Sequence, residues 1–166
     1  VTIPEGDPTD VETSLEVSLD ASSESYPLHT FNLLNDGVME KIAKAFKLQP
    51  SEIAGATLDA GTVKADGFSG PAEGKVAVGL TNPDGKVSYA YSANGIGFWI
   101  AADGTASSWG DAPIYYEYDA SGYGLTVGHN PGHSEKGKTY TIKPTMVYNK
   151  GGKLHKAVIT IKMKFA

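Results

Sequence analysis

From Thr139 to Phe165 the chain alternates apolar and polar residues with a period of two. Tyr140, Ile142, Met146 and Tyr148 alternate with Thr139, Thr141, Lys143 and Thr145. Beyond the loop Asn149-Lys150-Gly151-Gly152, Ile159, Ile161, Met163 and Phe165 alternate with Thr160, Lys162 and Lys164. Successive strand side chains point to opposite faces, so the pattern demands a sheet with one wet and one buried face. A helix would repeat its apolar positions every three or four residues instead. Pro144 has no N–H for a ladder bond, which predicts an edge strand or a bulge there.

The same reading extends upstream. Leu15, Val17 and Leu19 share one face of a strand over Ser14 to Leu19, and Val76, Val78 and Leu80 share one of another. Asn82-Pro83-Asp84-Gly85 predicts a hairpin turn leading back through Val87, Tyr89 and Tyr91. Asp103-Gly104 predicts a second turn between Gly97–Ala101 and Thr105–Trp109. Ile114, Tyr116 and Tyr118 oppose Tyr115, Glu117 and Asp119, and Tyr123, Leu125 and Val127 follow. One segment is helical: Val38, Ile42 and Phe46 fall on one face, capped by Asn35 or Asp36, and Pro50 opens a further turn. The expected fold is mainly β, an antiparallel β-sandwich of about eight or nine strands. A short helical segment at about 36–54 closes one end. Residues 1–12 read as an acidic linker and 13–166 as a single domain.

Charge narrows the function. Residues 1–133 hold 18 acids and 6 lysines, net −12, whereas 134–166 hold 8 lysines and one acid, net +7. All 14 basic residues are lysine. Without the bidentate arginine fork, nucleic acid is not an expected partner, and the lysines alternate as on the wet face of a strand. The chain has no cysteine, which excludes disulfides and thiolate metal sites. No apolar stretch approaches the ~20 residues of a membrane span. The chain begins at Val1, so a signal or lipid-attachment segment upstream is compatible with it.

Seven of the sixteen aromatic residues fall between Phe98 and Tyr123, among them Trp99 and Trp109, ten residues apart. Aromatic rings on strand ends and turns either pin a core or stack on the C–H patches of sugars, while neighbouring polar groups orient the hydroxyls. If Phe98 and Ile100 face inward, Trp99 faces outward, and Trp109 lies among serines and glycines with nothing to draw it inward. Trp99 and Trp109 are therefore stacking candidates, with Asn94 and Asp111 as polar partners and Tyr116 and Tyr118 as further ligand-binding candidates. The alternative is a structural or protein-interaction domain with both tryptophans buried.

Catalytic, metal and cofactor chemistry finds less support. His129 and His133 frame Asn130-Pro131-Gly132, whose Pro-Gly predicts a solvated turn rather than a zinc site. Glu117 and Asp119 share a strand face at a separation between the two glycosidase geometries, but nothing nearby tunes either acid. A glycosidase is the third-ranked reading, and neither a catalytic residue nor a cofactor is expected.

An ordered series of motifs carries a resemblance. It runs Ser92-Ala93-Asn94-Gly95, Gly97-Phe98-Trp99, Ala102-Asp103-Gly104, Ser108-Trp109-Gly110-Asp111, Tyr116-Glu117-Tyr118-Asp119 and Gly128-His129-Asn130-Pro131-Gly132. With Tyr140-Thr141-Ile142 and Val147-Tyr148, these resemble an uncharacterised domain of secreted and surface proteins of Bacteroidetes gut bacteria, over roughly Leu15 to Phe165. The resemblance implies an accessory module of lipoproteins and glycan-degrading proteins, placed outside the cytoplasm at the cell surface or in the periplasm. It supplies no catalytic residues.

Overall fold

The computed structural model describes residues 7–54, 63–64, 67–68, 71, 73–89, 96–110, 112–119 and 123–166. Two sheets face one another as a β-sandwich. The terminal sheet contains β1 (Val11–Leu19), β5 (Val76–Thr81), β6 (Val87–Tyr89), β11 (Thr139–Ile142), β12 (Pro144–Lys150) and β13 (Lys153–Phe165). Its order is β1-β13-β12-β5-β6, with β11 also on β13. The aromatic sheet contains β2 (Pro27–Asn32), β7 (Ile96–Ile100), β8 (Ala106–Ser107), β9 (Ile114–Asp119) and β10 (Gly124–His129), ordered β2-β10-β9-β7-β8. A separate ribbon joins β3 (Val63–Lys64) to β4 (Gly67–Phe68).

β13 follows the alternation closely. Ala157, Ile159, Ile161, Met163 and Phe165 are buried, while Lys162 and Lys164 are exposed. Each fully buried Ile or Leu side chain contributes ~1.5–3 kcal/mol, so this inward row anchors the sheet. The pairing of β1 with β13 is parallel, unlike every other described strand pair. Alternation alone is blind to that difference. β1 also begins at Val11, two residues before the expected domain start.

Pro144 causes no shift of register. Ile142 pairs with Ile161 and Thr145 with Val158, three residues on along each strand. β11 pairs only with β13 among the described strands, and Pro144 opens β12 where that strand gains β5 as a second neighbour.

The helix α1 (Val38–Phe46) buries Val38, Met39, Ile42, Ala43 and Phe46. Nine residues are too few for a stable isolated helix, so this apolar face holds it. Its N-cap is Gly37, not Asn35 or Asp36; at φ 82 the backbone is left-handed and glycine adopts it without strain. Asp36 still contributes, since its Oδ1 accepts the Val38 N–H at 3.2 Å. α2 (Pro50–Ala54) starts at Pro50, and Glu52 Oε1 accepts the Gln49 N–H at 2.9 Å, half of a capping box. Phe46 meets Tyr148 at 5.6 Å between ring centroids, seating α1 against the core on the terminal-sheet side.

Polar bonds also tie the layers. The Tyr116 hydroxyl donates to the Gly79 carbonyl at 2.6 Å across the sandwich. Asn82 Oδ1 accepts the Ala106 N–H at 2.9 Å, joining the β5–β6 turn to β8.

Candidate functional site

Register divides the aromatic run between two faces. Phe98 lies opposite Tyr116, and Trp99 opposite Tyr115. Phe98 and Tyr116 meet inside at 5.8 Å between centroids, so Trp99 and Tyr115 project from the outer face. Their rings lie 4.9 Å apart and tilted by 49°. Tyr26, just before β2, meets Trp99 edge-on at 6.1 Å and 79°. Offset and edge-to-face pairs of this kind are worth ~0.5–1.5 kcal/mol beyond area burial.

Gly128 makes this arrangement possible. It pairs with Tyr115 across β9 and β10, and a Cβ there would stand 2.5 Å from Tyr115 Cε1 and 2.0 Å from the Tyr26 carbonyl oxygen. Any side chain at 128 would evict the ring that supports Trp99. The Tyr26 carbonyl accepts the His129 N–H at 3.0 Å, fixing Tyr26 beside the end of β10.

Trp109 is 57% exposed, the most open large hydrophobic residue described. Its carbonyl accepts from Asn130 Nδ2 at 3.0 Å, and the Asn130 N–H bonds to the Pro113 carbonyl at 3.0 Å. The Trp109 loop is thereby pinned beside the end of β10 that also holds Tyr26. β8 arrives from the other side, with Ser107 paired to Trp99. Tyr26, Trp99, Trp109 and Tyr115 gather at one end of the aromatic sheet: Trp109 and Tyr26 open, Trp99 half-buried, Tyr115 almost covered.

Tyr116 and Tyr118 belong elsewhere. They are 0% and 4% exposed in the core, so their rings are unavailable to a ligand, and the expectation that they bind one is corrected. They occupy the positions of β9 that alternate with Tyr115, which the sheet turns inward. Asn94 and Asp111 lie outside the described residues. Burial, with Glu117 second, pushes the Tyr115 hydroxyl up to about 12, so it stays a neutral donor and acceptor at physiological pH. Glu117 and Asp119 are exposed on the outer face of β9.

His129 is not solvated, contrary to expectation; it is fully buried, whereas His133 is exposed. Its ring stacks on Phe165 at 5.9 Å and 19°, and its Nδ1 shares a 2.7 Å hydrogen bond with Ser134 Oγ. β10 carries it inward as a continuation of Leu125 and Val127. Among the described residues no three His, Asp or Glu side chains gather to hold a metal. A concavity of about 480 Å³ lies by Asn82, Ser88 and Thr105, but Asn82 already bonds Lys86, Ser88 and Ala106 there.

Tyr26 and Gly128 are site residues that the sequence pattern does not reveal. Tyr26 lies outside the aromatic run, and Gly128 acquires meaning only opposite Tyr115.

Residues 25–153, well over half of the chain, match the family model described as Domain of unknown function (DUF4859). The chain belongs to this family. No curated protein and no solved structure matches it. The DUF4859 match takes in the whole aromatic sheet with Tyr26, Trp99, Trp109 and Tyr115, and it ends at the first residue of β13.

Proposed function

We propose that this DUF4859 domain is a non-catalytic glycan-binding module of an exported bacterial surface protein. The observation that carries the reading is Trp109, more than half exposed and held at the same sheet end as Tyr26, Trp99 and Tyr115. A soluble domain gains nothing in stability by showing an indole to water, whereas a pyranose ring presents a C–H face that an open indole can cover. The strands of the aromatic sheet contain no lysine and carry Glu117 and Asp119. Such a surface favours neutral sugars over uronates or sulfated glycans. The motif resemblance to domains of secreted and surface proteins of Bacteroidetes, including lipoproteins and glycan-degrading proteins, supports placement outside the cytoplasm.

A structural or protein-interaction domain is the second reading. It is favoured by the mutual packing of Tyr26, Trp99 and Tyr115, which spends three of the four rings on one another.

The test is a fluorescence titration against neutral and uronate-bearing polysaccharides. We expect a saturable change with a neutral glycan, lost in Trp109→Ala while the unfolding free energy stays within ~0.5 kcal/mol of the parent. No response to any polysaccharide, with Trp109 still open to a soluble quencher, would sink the glycan reading in favour of the interaction domain.

A further inference from the structure

β1 and β13 run parallel and in register over nine consecutive residues, from Val11 opposite Ala157 to Leu19 opposite Phe165. The chain therefore enters the sandwich at one end of this pair and leaves it at the other. We propose that the pair is a shear clamp, through which the domain carries tension along the chain without opening.

The mechanics follow from the hydrogen-bond geometry. Bonds of a parallel ladder are evenly spaced along the two strands. Pulling Val11 and Phe165 apart acts along both strands, so all nine registered residues share the load and must slip together. Pulling two neighbouring strand ends apart instead acts across the ladder and opens one bond at a time.

Further contacts hold both ends of the clamp. Asp10 Oδ1 accepts the Lys156 N–H at 3.0 Å at the entry, and the Ala166 N–H donates to the Leu19 carbonyl at 2.9 Å at the exit. Glu16 and Lys164 form an ion pair across the outer face. On the inner face Val11, Leu15, Val17 and Leu19 pack against the core. β13 in turn is bonded on its other side to β12 and β11, so force reaching it is passed into the sheet rather than onto a free edge. This inference is independent of the glycan reading. A module that grips a polymer while tethered through its own chain would nonetheless need such a clamp.

Single-molecule pulling tests it, because a chain without cysteine takes unique handles. One variant carries Asp7→Cys and a cysteine added after Ala166, which loads β1 and β13 in shear. A second carries Glu24→Cys with the same added cysteine, which loads their neighbouring ends across the ladder. Both substitutions are at exposed positions, and matching circular dichroism confirms that the body is unchanged. Forced unfolding reports the unfolding barrier, so the two geometries give different rates on the same fold. We expect a several-fold higher unfolding force for the first variant at equal pulling speed. Equal forces in the two geometries, or a lower force for the first, would overturn the clamp.

Discussion

β13 buries Ala157, Ile159, Ile161, Met163 and Phe165 on one face and turns Lys162 and Lys164 to water on the other. β9 in the facing sheet buries Tyr116 and Tyr118 inward and nearly covers Tyr115 on its outer side as well, leaving Glu117 and Asp119 exposed there. On β13 the terminal sheet is a largely aliphatic wall with a lysine-bearing exterior. Its central strands β5 and β12 are buried on both faces, Ala77, Thr145 and Val147 included, and Tyr140, Tyr148 and Phe165 add rings to the core side. The aromatic sheet is built of large rings on both faces, and its fit depends on a glycine and on hydroxyls that stay protonated. The contrast separates two tasks. The first sheet holds the fold together, and the second gives up regularity to display rings at one end.

The difference can be broken most severely with alkali. Tyrosine ordinarily ionises near pH 10; burial, with Glu117, pushes Tyr115 up to about 12, and burial raises Tyr116 and Tyr118 as well. Above pH 10 the unfolded chain releases protons that the folded chain retains, so this stability is intact below pH 10 and falls as pH rises. At ~1.4 kcal/mol per unit for each group, the two core tyrosines alone remove roughly 4 kcal/mol by about pH 11.5. Denaturant titrations between pH 8 and 11.5 should show this decline, reduced in a Tyr116→Phe, Tyr118→Phe variant. A flat profile would place the tyrosines outside the cooperative core.

The aliphatic wall is probed next. Ile161 is fully buried between Leu15 of β1 and Ile142 of β11, and Ile161→Ala should cost ~2–5 kcal/mol. The urea midpoint should fall while native tryptophan emission stays as in the parent. Altered native emission would mean that the two sheets are not separable in this way.

Gly128→Ala gives a smaller and sharper effect. The added methyl collides with Tyr115 and the Tyr26 carbonyl, an overpacking of ~1–3 kcal/mol. It should also shift Trp99 emission, since Tyr115 supports that indole. Gly110→Ala, where a Cβ meets nothing within 4 Å, is the control and should change neither.

Much of this architecture can be read from residue order. The alternation in β9, β12 and β13, the aspartate-glycine turns and the spacing of Val38, Ile42 and Phe46 all predict elements that form. The unread parts share a cause, since each depends on which strand lies beside which. Pro27-Leu-His-Thr-Phe-Asn32 shows no clean alternation, so β2 emerges only through its pairing with β10. The aromatic site is legible in part. The outward turn of Trp99 follows from Phe98 and Ile100, and the openness of Trp109 from its serine and glycine neighbours. The inward turn of Tyr116 and Tyr118 follows from the same alternation, whereas the placing of Tyr26 beside Trp99 and of Gly128 against Tyr115 requires the register. Pro131-Gly132 does mark a turn, but one that begins only after β10 has carried His129 inside.

The pairing of β1 with β13 also constrains how the chain is made. Partners such as Asp10 and Lys156 are 146 residues apart, so β1 leaves the ribosome early and its neighbour late. Closing so long a loop costs entropy before any contact repays it, and non-local pairings of this kind slow folding. Until β13 is synthesised, Leu15, Val17 and an unpaired strand edge stay exposed to other chains. Completion of the sandwich is thus a late step, governed by the pace of translation and by whatever shields that first strand in the meantime.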